Sequence, residues 1–122
     1  MREVKTHKDL DAWKKAMELA LEVYRCTKRF PADERFGLTS QLRRAAVSVP
    51  SNFAEGAARG SSVEFVRFLH IALGPLAEVE TQLLLAQSIG LCTDVTGTMN
   101  LLETERRLLL GLIRHMKARA ER

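Results

Sequence analysis

The stretch from Phe36 to Gly56 reads F-G-L-T-S-Q-L-R-R-A-A-V-S-V-P-S-N-F-A-E-G. Its reading decides the fold. At about 100° per residue, Leu38, Leu42, Ala45, Ala46, Val49 and Phe53 fall on one broad arc of a helix. Phe36, Val47, Ala54 and Ala58 fall on the adjoining arc. Together the two arcs cover well over half of the circumference, where a surface helix needs a stripe of roughly 100°. The remaining arc carries Gln41, Arg44, Ser48, Ser51, Asn52, Glu55 and Arg59. Such a helix is expected to be covered on two sides, by its own chain and by something else. Val47, Ala54 and Ala58 are small enough to let another helix approach, and they make the candidate oligomer interface. Pro50 stands near the middle. An interior proline removes one backbone hydrogen bond and clashes with the carbonyl four residues back, at a cost of roughly 3 kcal/mol. Both faces keep one phase across Pro50, which favours a single helix kinked there. The alternative is two short helices, the second starting near Ser48 or Val49 with Pro50 in its first turn.

Outward from this stretch the same periodicity recurs. Leu10, Trp13, Met17, Ala20 with Leu21, and Tyr24 repeat at three and four, predicting a first helix from about Lys8 to Arg29. Trp13 reads there as a core anchor. Asp11 and Lys15 form an i,i+4 pair. Phe30-Pro31 ends that helix. Asp33 and Glu34 suit the N-terminal dipole of the next one, placed from about Glu34 to Arg59. Gly60 with Ser61-Ser62 is a stop and restart. Phe65, Phe68 with Leu69, Ala72, Leu76, Val79, Leu83 and Ala86 trace a third helix from about Val63 to Ile89, with a bend expected at Gly74-Pro75. Gly90 stops it. Thr93 or Asp94 caps a fourth helix, along which Val95, Met99, Leu102, Glu105, Leu109, Leu112 with Ile113, and Met116 keep the period. The expectation is an all-α, up-and-down four-helix bundle in a single domain over residues 1–122.

Composition agrees. Of 122 residues, 46% are hydrophobic and 28% charged, the balance of a globular chain. The longest uncharged run, Thr81 to Thr93, is too short and too polar to span a bilayer. The start M-R-E-V-K-T-H-K-D-L has no apolar core of a signal peptide, so a cytoplasmic protein is expected. Cys26 and Cys92 are far apart in sequence, in no metal-type spacing, and read as ordinary thiols of a reducing compartment. The net charge of +4 is unevenly spread. Residues 61–105 carry 1 basic and 6 acidic side chains, and residues 106–122 carry 6 basic and 1 acidic. Arg106, Arg107, Arg114, Lys117, Arg119 and Arg122 thus form a basic end. It suits a helix C-terminus, and it also suits a polyanion such as RNA or DNA.

Catalytic chemistry is hard to find. His7, His70 and His115 lie on three segments with no H-x-x-x-H or E-x-x-H pair, so no metal site is expected, and His70 reads as structural. Ser48, Ser51 and Ser62 have no histidine close in sequence, and no Walker-type glycine loop occurs. No cofactor is implied. The row Arg44, Ser48, Ser51, Asn52, Glu55 and Arg59 reads best as a structural polar network, in which Ser48 and Asn52 satisfy carbonyls that Pro50 leaves unpaired. An inter-subunit seam, a ligand-facing surface or an undetected active site are its other readings.

The segment Q-L-R-R-A-A-V-S-V-P-S-N-F-A-E-G resembles the central signature of the bacterial four helix bundle protein family, whose founding members are encoded in intervening sequences of 23S ribosomal RNA genes. Leu10, Trp13 and Ala16 match its first helix, and F-P-A-D-E-R-F-G-L its first turn. Arg59, Ser62, Glu64-Phe65, Phe68-Leu69, Ile71-Ala72, Gly74 and E-T-Q-L match its third helix. Phe53 departs from the usual aliphatic residue and Pro75 from the usual serine. The resemblance implies a homopentamer without enzymatic activity. The expected work is binding or scaffolding, for RNA or an RNA-associated protein. One alternative is an accessory subunit like those of diversity-generating retroelements, which associate with a reverse transcriptase and nucleic acid. Another is an enzyme built on the helix-two polar row.

Overall fold

A computed structural model describes residue 7 and residues 10–120. Four helices follow in order: α1 (Asp11–Thr27), α2 (Leu38–Ala58), α3 (Ser62–Ser88) and α4 (Thr96–Ala120). No strand occurs among the described residues. Each helix packs on its two neighbours around a square, α1 on α2, α2 on α3, α3 on α4 and α4 back on α1, and none packs on its diagonal. The chain is therefore the expected four-helix bundle. Gly60 and Gly90 turn the chain at φ +80° and +85°, a region that only glycine adopts without strain.

The ends of the helices differ in detail from the sequence reading. The expected start of the first helix at Lys8 lies outside the described residues. α2 begins at Leu38 and not at Glu34, because a single 3-10 turn, Ala32–Glu34, comes first. From that turn Glu34 reaches forward, and its Oε1 accepts the Leu38 N–H at 3.0 Å. The carboxylate thus satisfies one of the helix's unpaired donors from outside the helix. α3 is capped by Ser61, one residue earlier than expected, whose Oγ accepts the Glu64 N–H at 3.1 Å. Asp94 Oδ1 accepts the Thr96 N–H at 2.9 Å at the start of α4, and those hydrogen bonds with Thr96 hold its carboxyl below the usual range. Lys15 pairs with Glu18 at 2.9 Å in place of Asp11.

α2 runs unbroken through Pro50, which excludes the two-helix alternative. Its first arc is the core: Leu38, Leu42, Ala45, Ala46, Val49 and Phe53 are all buried. Phe53 meets Phe65 of α3 edge to face at 5.5 Å. Gly56 lets the two helices close together, since a Cβ there would stand 2.5 Å from Phe68 Cβ. The α3 stripe from Phe65 to Ala86 is buried as expected.

α1 departs most from expectation. Its buried residues are Ala12, Ala16, Leu19, Ala20, Val23 and Thr27. Met17, Leu21 and Tyr24 are exposed by 39%, 53% and 41%, and Trp13 is only half-buried. Of the predicted stripe, Ala20 is buried and Leu10 and Trp13 pack half-buried against the core, while Met17, Leu21 and Tyr24 make a second, outward apolar face. Thr27 then ties α1 to α2. Its Oγ1 donates to Val23 O at 2.7 Å and accepts from Arg43 Nε at 2.8 Å.

Candidate functional site

Three surface features gather the candidate residues. The first is the outward face of α1 and α2. The adjoining arc of α2 does not enter the core: Val47 is 41% exposed, Ala58 is exposed and Ala54 half-buried. Phe36, just before α2, is 88% exposed. Beside them stand Met17, Leu21 and Tyr24 of α1. A groove of about 310 Å³ runs between Trp13 and Met17 on one side and Val47, Pro50 and Ala54 on the other. A second, of about 560 Å³, is lined by Tyr24, Phe36, Arg43, Arg44 and Val47 among others. Val47 and Ser51 line both, so the two grooves make one continuous surface. Arg43 lies 4.5 Å over the Tyr24 ring and Arg35 5.3 Å over Phe36, which gives this apolar surface a cationic border.

The second feature is the polar row of α2. Ser48 Oγ donates to Arg44 O at 3.0 Å, and Asn52 Nδ2 donates to Ser48 O at 2.8 Å. Glu55 accepts from Arg59 at 3.0 Å. The row makes local hydrogen bonds, and the carbonyls that Ser48 and Asn52 satisfy are those of Arg44 and Ser48. The carbonyl that Pro50 deprives of its ordinary partner is that of Ala46, four residues back. Among the described residues no hydrogen bond joins Ser51 to Glu55.

The third feature is the basic end of α4. Arg106 does not belong to a free patch. It is half-buried, donates to Glu80 of α3 at 2.7 Å, and also pairs with Glu103. These carboxylates raise its pKa further. Arg106 is an interhelical tie. Arg107, Arg114 and Lys117 are exposed and share one outward arc, two turns or less between neighbours. Arg119 falls on the other flank. There it lines a groove of about 330 Å³ with His7, Ser61, Ser62 and His115. Arg122 lies outside the described residues.

The fold thus brings His7 and His115 to one groove from opposite ends of the chain, while His70 is exposed elsewhere on α3. Among the described residues no group of three His, Cys, Asp or Glu side chains could hold a metal ion, and no helix is long and apolar enough to cross a membrane. Sequence reading missed Arg35 and Arg43. The signal was present in Arg35-Phe36 and in a cation next to Leu42 of α2's apolar arc, but only the fold sets them over rings.

The family model described as 23S rRNA-intervening sequence protein matches residues 8–111. No curated protein matches the chain.

Proposed function

The chain belongs to the 23S rRNA-intervening sequence protein family, and on that premise we propose that it works as a non-enzymatic, self-associating scaffold in the cytoplasm, with a basic surface for RNA or an RNA-associated protein. One observation carries the reading: Met17, Leu21, Tyr24, Phe36 and Val47 stand exposed on one side of the bundle. A contiguous apolar surface of this kind marks an interaction site. Its small residues Ala54 and Ala58 permit close helix contact. A homopentamer is the assembly that the family resemblance implies. Sedimentation and light scattering across micromolar concentrations test it. The expected result is one species with the mass of a pentamer; a monomer throughout would overturn self-association.

Arg107, Arg114 and Lys117 favour nucleic acid as partner. In a symmetric oligomer their arc repeats in every subunit, which raises avidity without any new contact. Phe53, Phe65 and Phe68 are buried, and the exposed rings of Phe36 and Tyr24 lie on the apolar side taken for self-association, so base stacking is not expected of the basic arc. Binding is therefore expected to follow the phosphate backbone, with weak sequence preference. Labelled RNA and DNA titrated into wild type and into Arg107→Glu/Arg114→Glu test this. Wild-type affinity should fall steeply with salt, by close to one unit of log–log slope per phosphate on duplex DNA and about 0.7 on single strands. Absence of binding at low salt, or equal binding by the variant, would remove the basic arc from the account. The accessory-subunit alternative predicts that a nucleic-acid enzyme co-purifies. The enzyme alternative draws little from the polar row, because Ser48 and Asn52 donate to carbonyls of their own helix.

A further inference from the structure

α3 is the most apolar of the four helices, and its apolar residues are the least confined to one side. A helix that is apolar nearly all round is normally covered all round. Here its outer face is bare: Ile71, Leu84 and Leu85 are exposed by 42%, 46% and 49%, and Ile89, just beyond its end, by 56%. Ile71, Glu78 and Leu85 recur every seventh residue and so make one line along the helix. Glu78 is exposed within that line and has no ion-pair partner among the described residues. The chain has no lysine or arginine between Arg67 and Arg106, so nothing on α3 beyond its second turn balances that carboxylate. α3 does not pack on α1, and none of its residues lines the two grooves of the α1–α2 face. The bundle therefore has two separate bare apolar surfaces, and their charges are opposite. The α1–α2 grooves are lined by Arg35, Arg43 and Arg44 and by no carboxylate. None of these three arginines is ion-paired among the described residues.

We propose that the copies join head to tail: the α3 ridge of one chain, with Ile71, Glu78, Leu85 and Ile89, docks on the α1–α2 face of the next. The inference rests on the self-association proposed above and names the surface that covers the grooves. A two-fold contact of the α1–α2 face with itself brings two sets of arginines into one interface with no carboxylate lining either groove, and it leaves both α3 ridges bare. Like charges facing one another across an interface oppose association. The ridge set on the α1–α2 face covers both apolar surfaces with one kind of contact, and it brings Glu78 to a border of arginines that lacks an anion. α3 has 27 residues against 21 in α2, so it is long enough to lie along the whole of that face. A contact between two different surfaces repeats from copy to copy. It closes into a ring or runs on as a filament, and does not stop at two chains.

Light scattering and circular dichroism are recorded on the full chain as wild type, as Ala54→Glu, as Leu85→Glu, and as an equal mixture of the two variants. Each variant keeps one face and loses the other. Each alone should fall to the monomer mass with wild-type helicity. The mixture should give a two-chain particle, in which the α1–α2 face of the Leu85→Glu chain holds the α3 ridge of the Ala54→Glu chain. Glu78→Arg, an exchange of one charged side chain for another at an exposed position, reads the same ridge should Leu85→Glu lose helicity. It should raise the protein concentration needed for assembly by about tenfold or more. An assembled wild type whose mass is unchanged by both Leu85→Glu and Glu78→Arg would overturn the head-to-tail contact and leave self-association standing, with α3 open to a different partner. Two dissociated variants that do not combine on mixing would overturn it equally. A wild type that is monomeric at every concentration would overturn self-association itself, and this inference with it.

Discussion

Glu105 sits between Leu102 and Leu109 in the interior of α4, with no solvent exposure, and neither carboxylate oxygen has a hydrogen-bond partner among the described residues. Burial pushes its pKa from 4.5 up to about 8. At neutral pH the folded chain therefore holds this carboxyl as an acid, while the unfolded chain ionises it. The folded-state pKa is the higher one, so the folded state is undisturbed below about pH 4.5, loses stability as pH rises, and has lost the full amount above about pH 8. Each unit of pKa difference is worth about 1.4 kcal/mol, which makes the total several kcal/mol. Urea melts at several pH values should show Glu105→Leu more stable than wild type, by a margin that widens from acid to alkaline pH. A margin independent of pH would mean that Glu105 finds a partner or water. Gly56 gives a second prediction. Ala there gains helix propensity of about 1 kcal/mol, yet its Cβ meets Phe68 Cβ at 2.5 Å. Overpacking of that kind costs about 1–3 kcal/mol, so Gly56→Ala should lower the melting temperature. The sequence put Glu105 on the core stripe by position. Its unpaired state depends on what α1 and α3 place opposite, which spacing cannot express.

For α2 and α3 the buried stripe was legible almost residue by residue, because the side chains at its spacing face the bundle, while Val47 of α2 and Ile71, Leu84 and Leu85 of α3 lie off it and are exposed. In α1 Met17, Leu21 and Tyr24 face outward, while Leu19 and Val23 face inward with Ala12, Ala16 and Ala20. Both faces have the helical period, and of the stripe read from spacing Ala20 is buried while Met17, Leu21 and Tyr24 are not. The two sets are told apart only by what lies opposite. Leu21→Lys should therefore leave helicity and the melting of the isolated bundle within about 0.5 kcal/mol of wild type, as expected of a surface change. A large loss measured on monomeric protein would return Leu21 to the core. The ends of α3 offer a cleaner test. Ser61→Ala removes the side chain that accepts the Glu64 N–H, and should cost about 1 kcal/mol in denaturant melts. Cap positions were readable to within one residue, since Ser61 and Ser62 are chemically equivalent there. The 3-10 turn before α2 was not, because Asp33 and Glu34 suit either kind of turn.

At the scale of the whole molecule, the adjoining arc of α2 makes the sharpest prediction. Ala54 is half-buried beside the groove that Trp13 and Met17 line. A carboxylate at an assembly interface, without a partner, costs several kcal/mol. Ala54→Glu should give smaller particles by light scattering that keep wild-type helicity. Full mass would place Ala54 outside the interface, and unfolding would assign the arc to the monomer. If the bundle assembles, its melting temperature should also rise with protein concentration, as mass action requires.

The groove shared by His7 and Arg119 has a consequence for how the chain is wired. It places the approach to α1 and the departure from α4 at one end of the bundle, where a few residues of linker would join them. A circular permutant in which α4 runs on into α1, opened at Gly90 at the opposite end, would keep every helix pairing. Permutation is tolerated best when the new opening falls at an exposed turn. It would turn the pairing of α1 with α4, the most distant in sequence, into a local one, and would make α3 with α4 the distant one. Folding rates follow such separations. The two chains should reach the same native bundle by forming its sides in a different order, which stopped-flow refolding of both would resolve.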